Sequence, residues 1–369
     1  MRILQVTSHL NVGGVSRYVL SLSKALVQRG HRLTIASDGG QLESEATADG
    51  LTHWRLPLHT SVEFSPAVFS ASQALARRLA NDPVELVHAH TRVGQVVAAR
   101  LSRRFRIPYV TTWHGFFKPN LGRRLWPCTG DVAIAISEPV RQHLLETFHV
   151  PADRIALIPN GIDLRRYETP IDPAAPQRLR AQLQLAPEGP IVGTVARLVP
   201  SKGVDRLIRC FPKIRMSIPS ARLLLVGDGP ERVRLERLAN ANGMKNAVAF
   251  AGALADTRAA LALMDVFVFL PAEQEGFGLA LLEAMASGRP IVSLRRGGGA
   301  PWVLEQSGVG LVVEPDDAAA LATAIIRLLH DRAQAAQEAA KARAVVEERY
   351  SLDRMVDQVE ILYDNLTRR

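Results

Sequence analysis

Apolar positions along the chain alternate between two periods. Short buried-looking runs at Arg2 to Ser8, His31 to Ser37, Leu86 to Ala89, Tyr109 to Thr112, Val132 to Ile136 and Ile155 to Ile158 read as β-strands. Between them, Val15 to Arg29, Gln73 to Ala80, Gly94 to Arg103 and Glu138 to Thr147 carry the three-to-four-residue spacing of helices, the first ending at Gly30. Residues 164 to 189 break the alternation, and Pro170, Pro173, Pro176 and Pro187 mark them as a linker. The same order then restarts. Strands are expected at Ile191 to Ala196, Arg222 to Val226, Val248 to Phe250, Val266 to Leu270, Ile291 to Leu294 and Leu311 to Val313, with helices at Val204 to Ile214 and Glu231 to Asn240. From Ala318 the chain reads as helical, Ala318 to Arg349 with a break and then Leu352 to Leu366. Such alternation implies mostly parallel sheets covered on both faces. The expected architecture is α/β, with two doubly wound domains at 1–168 and 169–349 across a cleft, and a helix at 350–369 after them.

Open parallel sheets bind ligands beyond the carboxyl ends of their strands, so the residues at those ends are the candidates. Gly13 and Gly14 follow the first strand and precede a helix, without the third glycine of a dinucleotide fingerprint. His114 follows the strand ending near Thr112, and Arg197 and Lys202 follow Ile191 to Ala196. After Val266 to Leu270 comes Pro271-Ala-Glu-Gln-Glu275-Gly-Phe-Gly278, then a helix in which Glu283 lies about one and a half turns from the start. Gly276 and Gly278 permit close backbone approach, and a helix start offers free amides to an anion. Carboxylates suit sugar hydroxyls, which donate, better than phosphate oxygens, which only accept. Taken alone this stretch is also an ordinary β-α unit with Glu283 on a helix surface. Taken with two cations and a second glycine loop, it describes a pocket for a sugar linked to a diphosphate. His88 and His90 read as structural strand-end residues, and Asn160-Gly161 as a turn.

Composition narrows the picture further. The 369 residues suggest about two domains, and 47% hydrophobic with 22% charged residues is globular. Two cysteines, Cys128 and Cys210, make neither a disulfide framework nor a zinc site. The first residues lack a signal-peptide pattern and no apolar run approaches the ~20 residues of a membrane span, so a cytoplasmic protein is expected. The net charge of +9 is uneven: residues 1–170 hold 20 Lys and Arg against 13 Asp and Glu, and between Leu86 and Gly130 eight basic residues face no acidic one. Interleaved aromatics, in Arg103-Arg-Phe-Arg106 and from Phe116-Phe-Lys118 to Arg123-Arg-Leu-Trp126, point to docking on an anionic membrane. A nucleic-acid partner is not indicated, because no stacking platform or binding module is present.

Several segments together carry a family resemblance. Arg197-Leu-Val-Pro-Ser-Lys202-Gly resembles an R-L-x-x-x-K-G element, Val226-Gly-Asp-Gly-Pro230 a v-G-d-G-P turn, and Glu275 to Glu283 an E-x7-E signature continued by Ala-Met-Ala-Ser-Gly-Arg-Pro. With Gly13-Gly14, Leu86-Val-His-Ala-His90, Trp113-His114-Gly115 and Ile158-Pro-Asn-Gly-Ile-Asp163 in the first half, the chain resembles family 4 glycosyltransferases, retaining enzymes with two Rossmann-like domains (the GT-B fold), of the bacterial polysaccharide and lipopolysaccharide group 1 type.

The resemblance implies that the helix at 350–369 crosses back to the first domain, and it implies roles. Arg197 and Lys202 would neutralise a donor diphosphate, UDP- or GDP-linked; Glu275 would hold donor-sugar hydroxyls beside the amides of Phe277, Gly278 and Leu279; Glu283 would hold the ribose. Gly13 and Gly14 would admit the diphosphate, and His114 would face the sugar near its anomeric carbon. No cofactor is expected, and the absence of Asp-x-Asp fits a site without metal. The acceptor would be a glycan or lipid-linked hydroxyl at the cytoplasmic membrane face. A sugar-nucleotide epimerase or a phosphorylase on the same fold is the alternative. One departure is Gly297-Gly-Gly-Ala-Pro-Trp302, which lies where the family usually has a Gly-Gly-x-Pro-Glu run, so that Trp302 stands in place of the acidic residue.

Overall fold

The computed structural model describes residues 1–48, 50–60, 62–63, 65–186, 188–270, 275–295, 298–315 and 317–368. Pro271 to Gln274, Pro187 and Gly297, used in the sequence reading, lie outside the described residues. The chain divides into two compact units, Met1–Gly161 with Leu352–Arg369, and Ile162–Ser351.

In the first unit the elements are β1 (Arg2–Val6), α1 (Gly14–Gln28), β2 (Arg32–Ser37), α2 (Glu43–Ala48), β3 (Thr52–Arg55), α3 (Pro66–Asn81), β4 (Leu86–Ala89), α4 (Arg92–Phe105), β5 (Tyr109–Trp113), α5 (Leu121–Leu125), β6 (Val132–Ala135), α6 (Glu138–Phe148) and β7 (Ile155–Leu157). The strands pair in parallel in the order β3-β2-β1-β4-β5-β6-β7. Successive strand residues point to opposite faces. Ile3 therefore joins Ile35, Leu86, Val110 and Ile134 under Val19, Leu22 and Leu26 of α1. Leu4 and Val6 join Val87 and Ala89 on the other face, beneath Val68 and Leu75 of α3 and Val97 and Leu101 of α4.

The second unit runs α7 (Arg165–Glu168), α8 (Ala175–Gln182), β8 (Ile191–Val195), α9 (Val204–Ser217), β9 (Arg222–Val226), α10 (Arg232–Ala241), β10 (Val248–Gly252), α11 (Arg258–Leu263), β11 (Val266–Phe269), α12 (Leu279–Ala286), β12 (Ile291–Leu294), α13 (Gly299–Ser307), β13 (Leu311–Val313), α14 (Ala318–His330) and α15 (Arg332–Arg349). Its strand order is β10-β9-β8-β11-β12-β13, again parallel. Leu207, Ile208, Phe211 and Ile214 of α9 and Leu321, Ile325 and Leu328 of α14 cover one face.

One expectation needs correction. The proline-rich segment 164–189 is not a free linker: it carries α7 and α8, α8 packs on α11, and the unit boundary falls between Gly161 and Ile162. Pro176 sits in the first turn of α8, where its missing N–H costs nothing, so this proline starts a helix. The Gly-Ala-Pro-Trp run is helical as well, beginning α13 at Gly299.

The last helix, α16 (Leu352–Thr367), belongs to the first unit. Leu352, Met355, Val356, Val359 and Tyr363 are buried in the same core as α1.

Candidate functional site

Both sheets place candidate residues at a topological switch point, where strand order reverses and two adjacent loops diverge to leave a crevice; His114 instead follows β5, one strand beyond the switch. In the second unit the switch lies between β8 and β11, so Arg197 and Lys202 follow one strand and Glu275 follows its neighbour. A short 3-10 turn, Pro200–Lys202, brings Lys202 round, and Gly203 packs beside the Leu270 carbonyl. Lys202 Nζ consequently donates to Glu275 Oε2. Arg197 is exposed, and among the described residues its guanidinium makes no ion pair. The next residue holds the chain to the turn after β9, where Leu198 donates to the Asp228 carbonyl (2.9 Å) and Glu231 to the Leu198 carbonyl (3.0 Å).

The segment from Glu275 to Leu279 is shaped by two glycines. Gly278 caps α12 at φ 98°, and a Cβ there would meet the Phe269 ring at 2.5 Å. Gly299 opens α13 so close to the segment that a Cβ would meet the Gly276 carbonyl oxygen at 2.0 Å; its amide donates to the Glu275 carbonyl at 3.1 Å. Neither helix start has a side-chain cap. Phe277 is buried and packs edge-on against Trp302 and Tyr350, so its ring belongs to the core and only its backbone remains a candidate for a ligand. Trp302 thus fills the place of the expected acid with an aromatic contact, while its buried Nε1 has no hydrogen-bond partner among the described residues. Glu283, the fifth residue of α12, lies about one turn from the helix start, and its Oε2 accepts from Thr257 Oγ1 at 3.0 Å. Burial, with the Glu283 charge added, raises the nearby Tyr167 phenol. Thr257 and Tyr167 carry no sequence signal of their own.

In the first unit the switch lies between β1 and β4. Gly13 and Gly14, both exposed, begin α1, again without a side-chain cap. Gly13 is in extended backbone at φ 169°, and a Cβ would meet nothing within 4 Å. The fold itself makes no demand for glycine at position 13. His114 follows β5, with its Nε2 at 3.3 Å from Nδ1 of His90 and its ring 4.8 Å from that of Tyr18. Behind it, His90 Nε2 lies 2.5 Å from Gln5 Oε1, and His88 bridges Tyr363 (2.6 Å) and Thr112 (2.7 Å). Burial drives His88 down to about 3 and lowers both His90 and His114, so all three rings are neutral at physiological pH. His88 and His90 are therefore buried, hydrogen-bonded residues directly behind a candidate site residue. Asn160, expected in a turn, is buried, and Gly161 N–H contacts Met355 Sδ.

Comparison with known proteins agrees with this arrangement. Residues 12–166 match the Glycosyltransferase Family 4 model and residues 176–345 the model of glycosyl transferases group 1. The GDP-mannose-dependent alpha-(1-6)-phosphatidylinositol monomannoside mannosyltransferase of Mycobacterium tuberculosis is 30% identical over 95% of both chains. The N-acetyl-alpha-D-glucosaminyl L-malate synthase of Bacillus anthracis is 26% identical over 98% of this chain and 97% of its own. In fold, the chain is similar to a glycosyltransferase from Rickettsia africae (TM-score 0.88, 22% identity, 99% of this chain and 98% of that one). It is likewise similar to Anabaena HepE in complex with UDP and glucose (TM-score 0.86, 24% identity, 99% and 100%). With both halves matched in order and a relative aligned almost end to end at 30% identity, the chain belongs to the family 4, group 1 glycosyltransferases and is a glycosyltransferase of the GT-B fold.

Proposed function

We propose that the enzyme takes a nucleoside-diphosphate sugar as donor and passes its glycosyl group, with retention of anomeric configuration, to a hydroxyl of a lipid-linked or glycan acceptor at an anionic membrane face in the cytoplasm. The donor half rests on one observation, the Lys202–Glu275 pair at the β8/β11 switch point. A departing diphosphate accumulates negative charge, and preorganised cations and helix-start amides stabilise it. Lys202, Arg197 and the amides of Phe277, Gly278 and Leu279 supply that charge. Glu275 and Glu283 accept from sugar and ribose hydroxyls, and Gly13 and Gly14 leave room for the diphosphate. A carboxylate held by a lysine is a poor nucleophile, which favours attack from the same face. The bond from the anomeric carbon to the phosphate oxygen breaks, the bond to the acceptor oxygen forms, and the acceptor proton passes to the departing phosphate.

The relatives differ in nucleotide, GDP-mannose in the mycobacterial enzyme and UDP in HepE, so the donor class is proposed without its base. That mycobacterial relative acts on a phosphatidylinositol mannoside, which supports a lipid acceptor. So does α5, where Leu121 (72% exposed), Leu125 (78%) and Trp126 (41%) stand beside Lys118, Arg123 and Arg124. Arg92, paired with Glu63, anchors the segment by donating to the Trp126 and Pro127 carbonyls at 2.8 Å. No helix among the described residues is long and apolar enough to cross a membrane. Lipid contact would therefore be peripheral.

A thermal-shift screen of UDP- and GDP-sugars tests the donor assignment. A cognate donor at about 100 times its Kd should stabilise the wild type by ~2.7 kcal/mol, and Lys202→Ala should lose most of that. Equal stabilisation of both proteins would refute the role of Lys202.

A further inference from the structure

Behind His114 lies a polar chain that crosses the interior of the first unit. It links Gln5 of β1, His88 of β4, His90 just beyond it, Thr112 of β5 and Tyr363 of α16. Gln5 and His88 are 0% exposed and His90 is 2% exposed, so water does not compete for these bonds.

The bonds determine where each proton sits. An amide oxygen only accepts, so the 2.5 Å contact with Gln5 Oε1 requires the proton of His90 on Nε2. A neutral imidazole carries one N–H, and His90 Nδ1 is left with a lone pair. Its 3.3 Å contact with His114 Nε2 is a hydrogen bond only if His114 carries its own proton on Nε2. Nδ1 of His114 is then an acceptor. At the other end of the amide, Gln5 Nε2 donates to the Tyr363 hydroxyl, and His88 lies between that hydroxyl (2.6 Å from Nδ1) and the Thr112 hydroxyl (2.7 Å from Nε2), each of which can donate or accept. One amide orientation thereby sets the protons of two rings, His90 and His114.

We propose that His90 is a positioning residue for His114, holding it as the Nε2–H tautomer so that its Nδ1 presents an acceptor, and no donor, to the bound glycosyl donor. An acceptor nitrogen selects a hydroxyl of the transferred sugar and disfavours a phosphate oxygen, which has no proton to give. The inference rests on the reading that His114 belongs to the donor site.

The test uses the full-length enzyme labelled with 15N-histidine, with His114 assigned from His114→Ala. Ring-nitrogen shifts near pH 7.5 should show unprotonated Nδ1 and protonated Nε2 in both His90 and His114; a protonated His114 Nδ1 overturns the proposal. In turnover, His90→Leu should lower kcat about tenfold with the donor KM nearly unchanged, and His90→Gln, whose amide oxygen can accept from His114, should restore most of it. Equal kcat in His90→Leu and wild type also overturns it. His114→Ala separates the two readings: full turnover there removes His114 from the site, whereas loss there with none in His90→Leu removes only the positioning role. If His90→Leu fails to fold, the wild-type spectrum decides.

Discussion

The Tyr363 hydroxyl lies 2.6 Å from Nδ1 of His88, a residue 275 positions earlier in the chain. The last helix and the fourth strand thus share a buried polar bond, and removing half of it leaves the other half unsatisfied. Tyr363→Phe should destabilise the first unit by about 1–3 kcal/mol. Chemical denaturation checks this, and an unchanged midpoint would show that the bond adds nothing.

The same cluster predicts how stability depends on pH. His88 falls to about 3 in the folded protein, through burial first and the charge of His114 second, against an ordinary 6.5. A group with a depressed folded value binds its proton in the unfolded chain first. Its contribution is complete above pH 6.5 and declines as pH falls towards 3, at about 1.4 kcal/mol per pH unit for each such ring. His90 and His114 act in the same direction, as do His53 and His143, which burial also lowers. Urea midpoints should drop steeply between pH 7 and pH 5, and His88→Gln should flatten the slope.

Two site glycines should respond oppositely to alanine. Gly278→Ala meets the Phe269 ring and a left-handed backbone, so it should cost at least about 1–2 kcal/mol in stability. Gly13→Ala meets open space in extended backbone and should stay within about 0.5 kcal/mol of wild type while weakening donor binding. Melting curves and donor titrations on both variants would separate the effects. Wild-type binding in Gly13→Ala would remove that loop from the donor site.

Leu125→Glu with Trp126→Glu should leave melting unchanged, because α5 buries no residue, and should abolish sedimentation with anionic liposomes at low salt. Failure of the wild type to bind such liposomes would end the membrane reading.

Truncation after Ser351 removes Leu352, Met355, Val356, Val359 and Tyr363 from the core of the first unit. At about 1.5–3 kcal/mol for each buried side chain, the loss rivals the whole stability of a domain. The truncated chain should expose unit 1 to limited proteolysis; a resistant fragment spanning Met1–Gly161 would contradict this.

Much of this was readable from residues alone, for physical reasons. Buried parallel strands such as Leu223-Leu-Leu-Val226 are continuous apolar runs, and open parallel sheets take ligands beyond the carboxyl ends of their strands, which made Arg197, Lys202, Glu275 and His114 candidates. Strand β3, Thr-His-Trp-Arg, was missed because a polar edge strand lacks an apolar run. Helices α8 and α13 were hidden by prolines and glycines that here open helices. The Gln5-His90-His114 chain was illegible because its members meet only through tertiary packing. His88 and His90 looked like ordinary strand-end residues for the same reason.

Because α16 completes the core begun by β1, biosynthesis meets a delay. Ile162–Ser351 can close its own core while still being synthesised, whereas the first unit lacks Met355, Val359 and Tyr363 until α16 has left the ribosome. The half of the chain translated first is the half finished last, and until then its nascent sheet keeps an apolar face open to chaperones.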